Sequence, residues 1–151
     1  MKTLTKTRLQ IKDQNELINQ ISGTYKDFYR AAMEYIDNSI DAASKIEAEG
    51  RKISPKIEIE IDLEKKQVVF TDNCEGMSPE ELCDLLSSVG QSKKKAVSWA
   101  NGQFGFGVHA FRAFAKEATF VSRKKGFPEA TIKIDRTIDE STDVPCHGVS
   151  P

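Results

Sequence analysis

One segment of the chain places acidic and amide side chains at helical spacing: Glu34-x-x-Asp37-Asn38-x-x-Asp41-Ala42. At 100° per residue, the three carboxylates and the amide fall within an arc of roughly 100°. The surrounding sequence predicts a helix from Tyr25 to Glu49. Its apolar residues centre on the opposite side, and they are Tyr29, Ala32, Ile36, Ile40 and Ala43. The pattern therefore predicts one long helix with a core face and a compact acidic face.

The acidic face has two interpretations. It is a solvated face if Arg30 and Lys45, four residues from Glu34 and Asp41, form ion pairs with them. Alternatively, its oxygen atoms help to hold Mg²⁺, which prefers one or two protein oxygens together with waters and substrate phosphates. A glutamate beside such a site could act as a general base. Spacing alone leaves both interpretations open.

Short helices and strands alternate along the rest of the chain and predict an α+β layer with a mostly antiparallel sheet. Isoleucine or leucine alternates with acidic residues over 57–64, which is typical of a half-buried strand. Ser78-Pro79-Glu80-Glu81 has the composition of a helix start. The remaining predicted elements are a short helix over 14–21, a strand over 68–70, a helix over 108–116, strands over 119–122 and 131–134, and a mostly irregular tail over 137–151.

The loop from Thr71 to Met77 follows a predicted strand and begins with an aspartate. An aspartate at a strand end can be held partly buried, so that Asp72 would accept hydrogen bonds from a ligand amine. Gly76 would let the backbone approach a flat ligand closely. The alternative is an ordinary Asp-Asn turn.

A glycine-rich turn, Gly102-Gln103-Phe104-Gly105-Phe106-Gly107, leads into the predicted helix over 108–116. Backbone amides and a helix N-terminus suit a phosphate group. The turn is not a Walker loop, because no Gly-Lys-Ser/Thr follows, and no βαβ unit supports a Rossmann motif. The lysines at 93–95 are either ordinary surface lysines or part of a mobile lid that reaches phosphate.

Composition excludes several classes of protein. The 151 residues include 22 Lys+Arg and 23 Asp+Glu, for a formal net charge of -1. This balance gives no basic field for nucleic acid or an anionic membrane. There is no apolar run of membrane-spanning length, no apolar leader region, and no C-x-x-C pair among three cysteines. We therefore expect a cytoplasmic domain without a disulfide framework, membrane segment or direct nucleic-acid contact.

In this order, the motifs resemble those of the GHKL ATPases, which include the ATPase component of DNA gyrase, the ninety-kilodalton heat-shock chaperones, sensor histidine kinases and MutL. The segment 34–42 resembles their N box, and 72–77 is similar to their D-x-G-x-G motif, with Cys74 in place of the first glycine. The turn over 102–107 resembles the second glycine box, most closely the chaperone version. The loop over 89–94 resembles the short lids of MutL and the MORC ATPases.

The resemblance implies the Bergerat fold, a two-layer sandwich of helices on a mixed, mostly antiparallel sheet. It divides the chain into an N-terminal extension over 1–24 and an ATP-binding domain over 25–151. The segment 146–149 resembles a late H-G-T motif, with Val149 replacing the threonine. Because the family's last strands follow that motif, we expect the domain to be incomplete at its C-terminus.

The resemblance also implies roles for individual residues. Glu34 matches the general base, Asn38 the Mg²⁺ ligand and Asp72 the carboxylate that reads the adenine amino group. The other residues that it places around the nucleotide are Asp41, Ala42, Lys45, Gly76, Met77, Ser92, Lys93, Lys94, Gly102, Gln103, Phe104, Gly105, Phe106, Gly107, Val108 and His109.

The function implied is ATP binding and Mg²⁺-dependent hydrolysis to ADP and phosphate. ATP binding and hydrolysis would drive lid closure and a conformational or dimerisation switch in a larger protein, with a second copy or a transducer domain as partner. We expect slow turnover from this domain alone. One alternative is a nucleotide sensor that does not hydrolyse ATP. A second is a histidine-kinase catalytic domain, although we see no upstream dimerisation helix in the sequence. A third is an α+β domain that binds no nucleotide.

Overall fold

The structure is a computed structural model that describes residues 14–87, 107–136 and 147–149 of the chain. The elements are α1 (Gln14–Ser22), α2 (Phe28–Ala48), β1 (Ile57–Asp62), β2 (Gln67–Asp72), α3 (Pro79–Ser87), a 3₁₀ helix (Gly107–Ala113), β3 (Glu117–Ser122), β4 (Glu129–Asp135) and β5 (His147–Val149). The α+β class predicted from sequence is confirmed. No helix in the described ranges is long and apolar enough to cross a bilayer.

Helix α2 begins at Phe28, three residues later than the sequence predicts. Asp27 has extended backbone angles (φ -142°, ψ 160°), and its carboxylate accepts a hydrogen bond from the Arg30 amide at 2.8 Å. This is an N-cap, which satisfies a helical donor that would otherwise lack a partner. The helix ends at Ala48, and Gly50 follows with a φ of 76°. The apolar pattern did not reveal the cap, because Asp27 lies outside that pattern.

The described strands form two antiparallel sheets. Strands β1 and β2 pair so that Ile59 lies opposite Phe70. Strands β3, β4 and β5 follow in that order, with Phe120 opposite Ile132. Strand β5 occupies three residues of the tail that we predicted as mostly irregular, and the other tail residues lie outside the described ranges. The β5 segment is short and polar and lacks the apolar alternation that is typical of a strand. Its strand conformation comes from backbone pairing with β4.

The core lies between the three-stranded sheet and the elements that cover it. Its buried members come from α3, the 3₁₀ helix and β4, and they are Leu82, Leu86, Val108, Phe111, Ala130, Ile132 and Ile134.

Cys83 on α3 is disulfide-bonded, a bond that the cysteine count did not predict, whereas Cys74 is a free thiol. The helix predicted over 108–116 is instead the 3₁₀ helix, and it ends at Ala113.

The buried side of α2 differs from the predicted apolar face. Tyr29 and Ile40 are 79% and 40% exposed, whereas Asp41 is only 1% exposed and Ser39 is also buried. The helix packs on the 3₁₀ helix and β2 through a stripe that mixes small apolar and polar side chains. Hydrophobic periodicity therefore identified only part of the buried side, through Ala32 and Ala43, because it counts polar residues as exposed.

Tyr35 joins α2 to the 3₁₀ helix. Its hydroxyl donates to the Val108 carbonyl at 3.1 Å and accepts from the Phe111 amide at 2.8 Å. Burial, the largest cause, raises the pKa of the Tyr35 phenol well above its usual value, so the hydroxyl stays protonated. The two hydrogen bonds thus fix the 3₁₀ helix against α2.

We expect Tyr35→Phe to lower the free energy of unfolding by about 1–3 kcal/mol, because the mostly buried Phe111 amide loses its acceptor. The matched control is Tyr29→Phe, in the exposed part of the same helix, which should change stability by less than about 0.5 kcal/mol. Urea unfolding followed by circular dichroism measures both. Equal midpoints for the two variants would contradict this role of Tyr35.

Candidate functional site

The Glu34 carboxylate lies between Tyr25 and the start of the 3₁₀ helix. Its Oε1 accepts a hydrogen bond from the Tyr25 hydroxyl at 2.9 Å. Its Oε2 lies so close to Gly107 that a Cβ built on that glycine would be 2.2 Å away. Only glycine fits this position without movement of Glu34. The structure therefore brings the acidic face of α2 to the residue that ends the glycine-rich turn.

The ion pair expected between Glu34 and Arg30 on a solvated face does not form. The Arg30 side chain lies beside Asp27, with Nε 3.9 Å from Oδ2. In the parts of the chain that the structure describes, no cation pairs with Glu34, and its hydrogen-bond donor is the neutral Tyr25. The buried position of Asp41 also contradicts the solvated interpretation.

Asp72 ends β2 and contacts α2 through Ser39. The Ser39 hydroxyl donates to Asp72 Oδ2 at 2.8 Å, and the Cys74 amide donates to Oδ1 at 2.9 Å. The prediction that Asp72 is partly buried is wrong, because the residue is exposed at the end of the two-stranded sheet. Its carboxylate is nevertheless held in place by two donors. Sequence reasoning missed Ser39, which is adjacent to Asn38 in the N-box segment.

Cys74 fills the position of the expected glycine without displacing Asp72. Its thiol donates a long hydrogen bond to the Ser39 carbonyl at 3.6 Å. Burial, followed by the neighbouring Asp72 charge, raises the pKa of the Cys74 thiol to about 11. The thiol is therefore protonated and unreactive at neutral pH. It adds a second link between the Asp72 loop and α2.

Gly76 is required by backbone packing. It has a φ of 69°, and a Cβ there would lie 2.1 Å from the Arg123 carbonyl oxygen. The next amide, of Met77, donates to Ser122 Oγ at 2.8 Å. These contacts fix the end of the loop against β3. The Arg123 backbone occupies the side on which a Cβ would point, and the close approach of a ligand at Gly76 stays a prediction.

Lys45 holds the Asp72 loop from the α2 side. Its Nζ lies 3.4 Å from Glu75 Oε1, and Arg51 contacts the other oxygen at 2.8 Å. These cations, Arg51 foremost, keep the pKa of the Glu75 carboxyl below its usual value. Asn38 and Ala42 lie half-buried on the same helix, between the levels of Glu34 and Lys45.

His109 and Val108 contribute their side chains to the interior. His109 is 2% exposed, its Nε2 lies 2.9 Å from the Leu86 carbonyl oxygen, and Arg112 donates to its Nδ1 at 3.4 Å. Burial lowers the pKa of His109, so the ring is neutral at pH 7. We therefore exclude the His109 side chain from the proposed nucleotide contacts. The predicted residues Ser92, Lys93, Lys94, Gly102, Gln103, Phe104, Gly105 and Phe106 lie outside the described residues.

Fold and site together define an α+β domain in which one helix connects a strand-end aspartate with a glycine turn. A family model described as histidine kinase-, DNA gyrase B-, and HSP90-like ATPase matches residues 25–147. The chain belongs to this family. The resemblance drawn from the three motifs is thereby confirmed, and the family's ATPase description supports ATP binding at the level of the family.

The curated relatives that the chain resembles are chaperone proteins. The chain is 30% identical over 130 residues to the chaperone protein HtpG of Nitrobacter winogradskyi, covering 73% of this chain and 20% of the relative. It is 30% identical over 136 residues to HtpG of Rhodococcus jostii, covering 76% and 21%. HtpG of Campylobacter jejuni is 30% identical over 110 residues, covering 60% and 18%. The chain spans about a fifth of the length of these relatives.

The contact between Gly107 and Glu34 predicts an energetic coupling. Gly107→Ala should lower the free energy of unfolding by about 1 kcal/mol, because the new methyl group displaces the Glu34 carboxylate and breaks its hydrogen bond from Tyr25. In a Glu34→Ala background that cost should fall to about 0.5 kcal/mol or less, since the overlapping carboxylate is absent. Urea unfolding of the four proteins measures the cycle. Additive effects would show that the two residues are not in contact.

Proposed function

We propose that the chain binds ATP and hydrolyses it, with Mg²⁺, to ADP and phosphate. The observation that most supports the proposal is the position of the Glu34 carboxylate against Gly107, at the exit of the glycine-rich turn. The same helix reaches Asp72 through Ser39. One helix thus connects a group suited to adenine with a group suited to the phosphates.

At the adenine end, Asp72 is the proposed acceptor for the exocyclic amino group. An ionised carboxylate has about four lone-pair positions. Ser39 and the Cys74 amide use one position on each oxygen, so each retains capacity for a ligand donor. Because these two donors fix the carboxylate, it is oriented before the ligand arrives, which lowers the cost of binding.

At the phosphate end, Glu34 is the proposed general base. It takes a proton from water as the water oxygen bonds to the γ-phosphorus. The bond from that phosphorus to the β–γ bridging oxygen breaks, and ADP leaves with that oxygen. Most of the rate enhancement in phosphoryl transfer comes from positioning and charge stabilisation. The role of Glu34 is therefore to hold and deprotonate the water at one place.

The residues present fit Mg²⁺. Asn38 lies one turn beyond Glu34 on α2 and offers an amide oxygen. Among the described residues, no three His, Cys, Asp or Glu side chains form a metal-binding group by themselves. A single amide oxygen, completed by waters and phosphate oxygens, is a donor set that Mg²⁺ accepts. Bound there, Mg²⁺ would neutralise charge on the β- and γ-phosphate oxygens.

The larger cycle is also a proposal. We infer that a lid over 88–104 closes on the nucleotide and that hydrolysis gates a conformational or dimerisation switch, with a second copy or a transducer domain as partner. Support comes from the HtpG relatives, of which the chain covers about a fifth. The near-neutral charge favours a module without direct nucleic-acid contact. We also infer that the module is cytoplasmic.

Two experiments test the proposal. Phosphate release from ATP, measured with Mg²⁺ and with EDTA, tests hydrolysis, and a thermal-shift titration with ATP tests binding. We expect slow Mg²⁺-dependent release and a stabilisation of about 2.7 kcal/mol when ATP reaches a hundred times its Kd. NAD⁺ is the control and should give no shift. Binding without release would favour the non-hydrolysing sensor. Absence of both would overturn the proposal.

A further inference from the structure

We propose that Tyr25 is a positioning residue for Glu34, and that α1 supports it in that role. This inference rests on the proposed function, because it assigns a task in the same hydrolytic step. It concerns a residue that the sequence motifs did not place in the site. Tyr25 lies three residues before the start of α2, nine positions from Glu34.

The Tyr25 hydroxyl gives the two carboxylate oxygens of Glu34 different environments. Oε1 accepts a hydrogen bond from the hydroxyl, with 2.9 Å between the two oxygens, and Oε2 lies over Gly107. A general base must present a lone pair within about 2.6–3.2 Å of the water that it deprotonates. The side chain of glutamate has three rotatable bonds, and the carboxylate would sample several orientations without this contact. The hydroxyl therefore leaves Oε2 as the oxygen presented at the glycine turn.

Tyr25 remains a hydrogen-bond donor at neutral pH. Burial of the phenol, assisted by the hydrogen bond to Glu34, raises the pKa of Tyr25 well above its usual value. The hydroxyl therefore keeps its proton and does not compete with Glu34 for the proton of water. This chemistry suits a residue that orients the base and takes no proton itself.

Helix α1 fixes the position of Tyr25. The Tyr25 amide donates to the Ser22 carbonyl at 3.1 Å, and the buried Ser22 hydroxyl donates to the His109 carbonyl at 3.2 Å. Arg112 in turn donates to Asn19 Oδ1 at 2.8 Å. These bonds join α1 to the 3₁₀ helix whose first residue is Gly107. The two neighbours of the Glu34 carboxylate thus belong to one connected unit, although we predicted residues 1–24 as an extension.

The test compares kcat and KM for ATP hydrolysis at a temperature at which every variant is folded. Tyr25→Phe should lower kcat roughly 10-fold with KM within about twofold, because the base is present but less well oriented. The matched control is Tyr29→Phe, which removes an exposed hydroxyl four residues away and should leave both constants unchanged. In a Glu34→Gln background, Tyr25→Phe should cause no further loss.

A kcat for Tyr25→Phe equal to that of wild type, while Glu34→Gln is slow, would overturn the inference and leave the proposed function intact. An equal loss in the wild-type and Glu34→Gln backgrounds, or a rise in KM alone, would also overturn it, because Tyr25 would then act independently of the base. Failure of the proposed function gives a different result, in which Glu34→Gln hydrolyses ATP as fast as wild type or no protein hydrolyses it.

Discussion

Replacement of Glu34 by glutamine is expected to lower kcat for ATP hydrolysis by about 100-fold or more, because general-base catalysis contributes roughly 10²–10⁴-fold. Glutamine keeps the size of the side chain and an oxygen that can accept the Tyr25 hydrogen bond. The Kd for ATP should stay within about threefold of wild type, since the proposed role of Glu34 is in the reaction rather than in binding. Single-turnover phosphate release and calorimetry measure the two effects.

Asp37→Asn is the matched control for this variant. It removes one carboxylate charge from the same helix, three residues away and also half-buried. Its kcat should lie within about twofold of wild type, because Asp37 is outside the proposed machinery. Similar losses in both variants would indicate that helix charge, rather than a specific base, governs the rate. Undiminished hydrolysis by Glu34→Gln would remove Glu34 from the mechanism.

Replacement of Asp72 by asparagine is expected to weaken ATP binding by roughly 30-fold or more. The carboxylate has two acceptor oxygens, one bonded by Ser39 and the other by the Cys74 amide, whereas the asparagine amide has only one. In the variant, at least one of the donors (Ser39, Cys74 or the adenine amine) therefore loses its acceptor. Leaving such a group unpaired costs about 2–3 kcal/mol when a charge is involved. Guanine has a carbonyl where adenine has the amine, so the preference for ATP over GTP should also narrow. Calorimetry with both nucleotides measures these changes.

Asp62→Asn is the control for the binding experiment, because Asp62 ends the partner strand β1 in the same hairpin, at the opposite end from Asp72. Its carboxylate contacts Lys65 in the turn. ATP affinity should be unchanged in this variant. An Asp72→Asn protein that binds ATP as tightly as wild type, with the same preference over GTP, would contradict the adenine assignment.

The sequence predicted the acidic face of α2 and its relation to the glycine turn, but only part of the buried side of the helix, through Ala32 and Ala43. Glu34 and Gly107 were placed in one site through the family resemblance, and the structure brings them into contact. Periodicity placed Tyr29 and Ile40 in the core and Asp41 outside it, and each of these predictions is wrong. A pattern of apolar residues cannot reveal that a partner element accommodates a buried carboxylate.

Contacts distant in the chain limited the other predictions. The 3₁₀ helix is tied to α2 by the Tyr35 hydroxyl, which local propensity does not encode. Strand β5 forms by pairing with β4, although its sequence is short and polar. Ser39 acquires its partner Asp72 only when α2 packs on β2, whereas Tyr25 contacts Glu34 across nine residues of chain. One local signal could have suggested Tyr25, because it is a tyrosine just before a capped helix that carries a motif glutamate.

A crystal structure of the chain with Mg²⁺ and a non-hydrolysable ATP analogue tests the central claim most directly, because the claim is the position of the nucleotide along α2. We expect the adenine amino nitrogen within about 3.2 Å of an Asp72 carboxylate oxygen. The γ-phosphate should lie beside Glu34 Oε2, on the Gly107 side of the helix. A nucleotide bound with its adenine away from Asp72, or with its phosphates away from Glu34 and Gly107, would contradict the account.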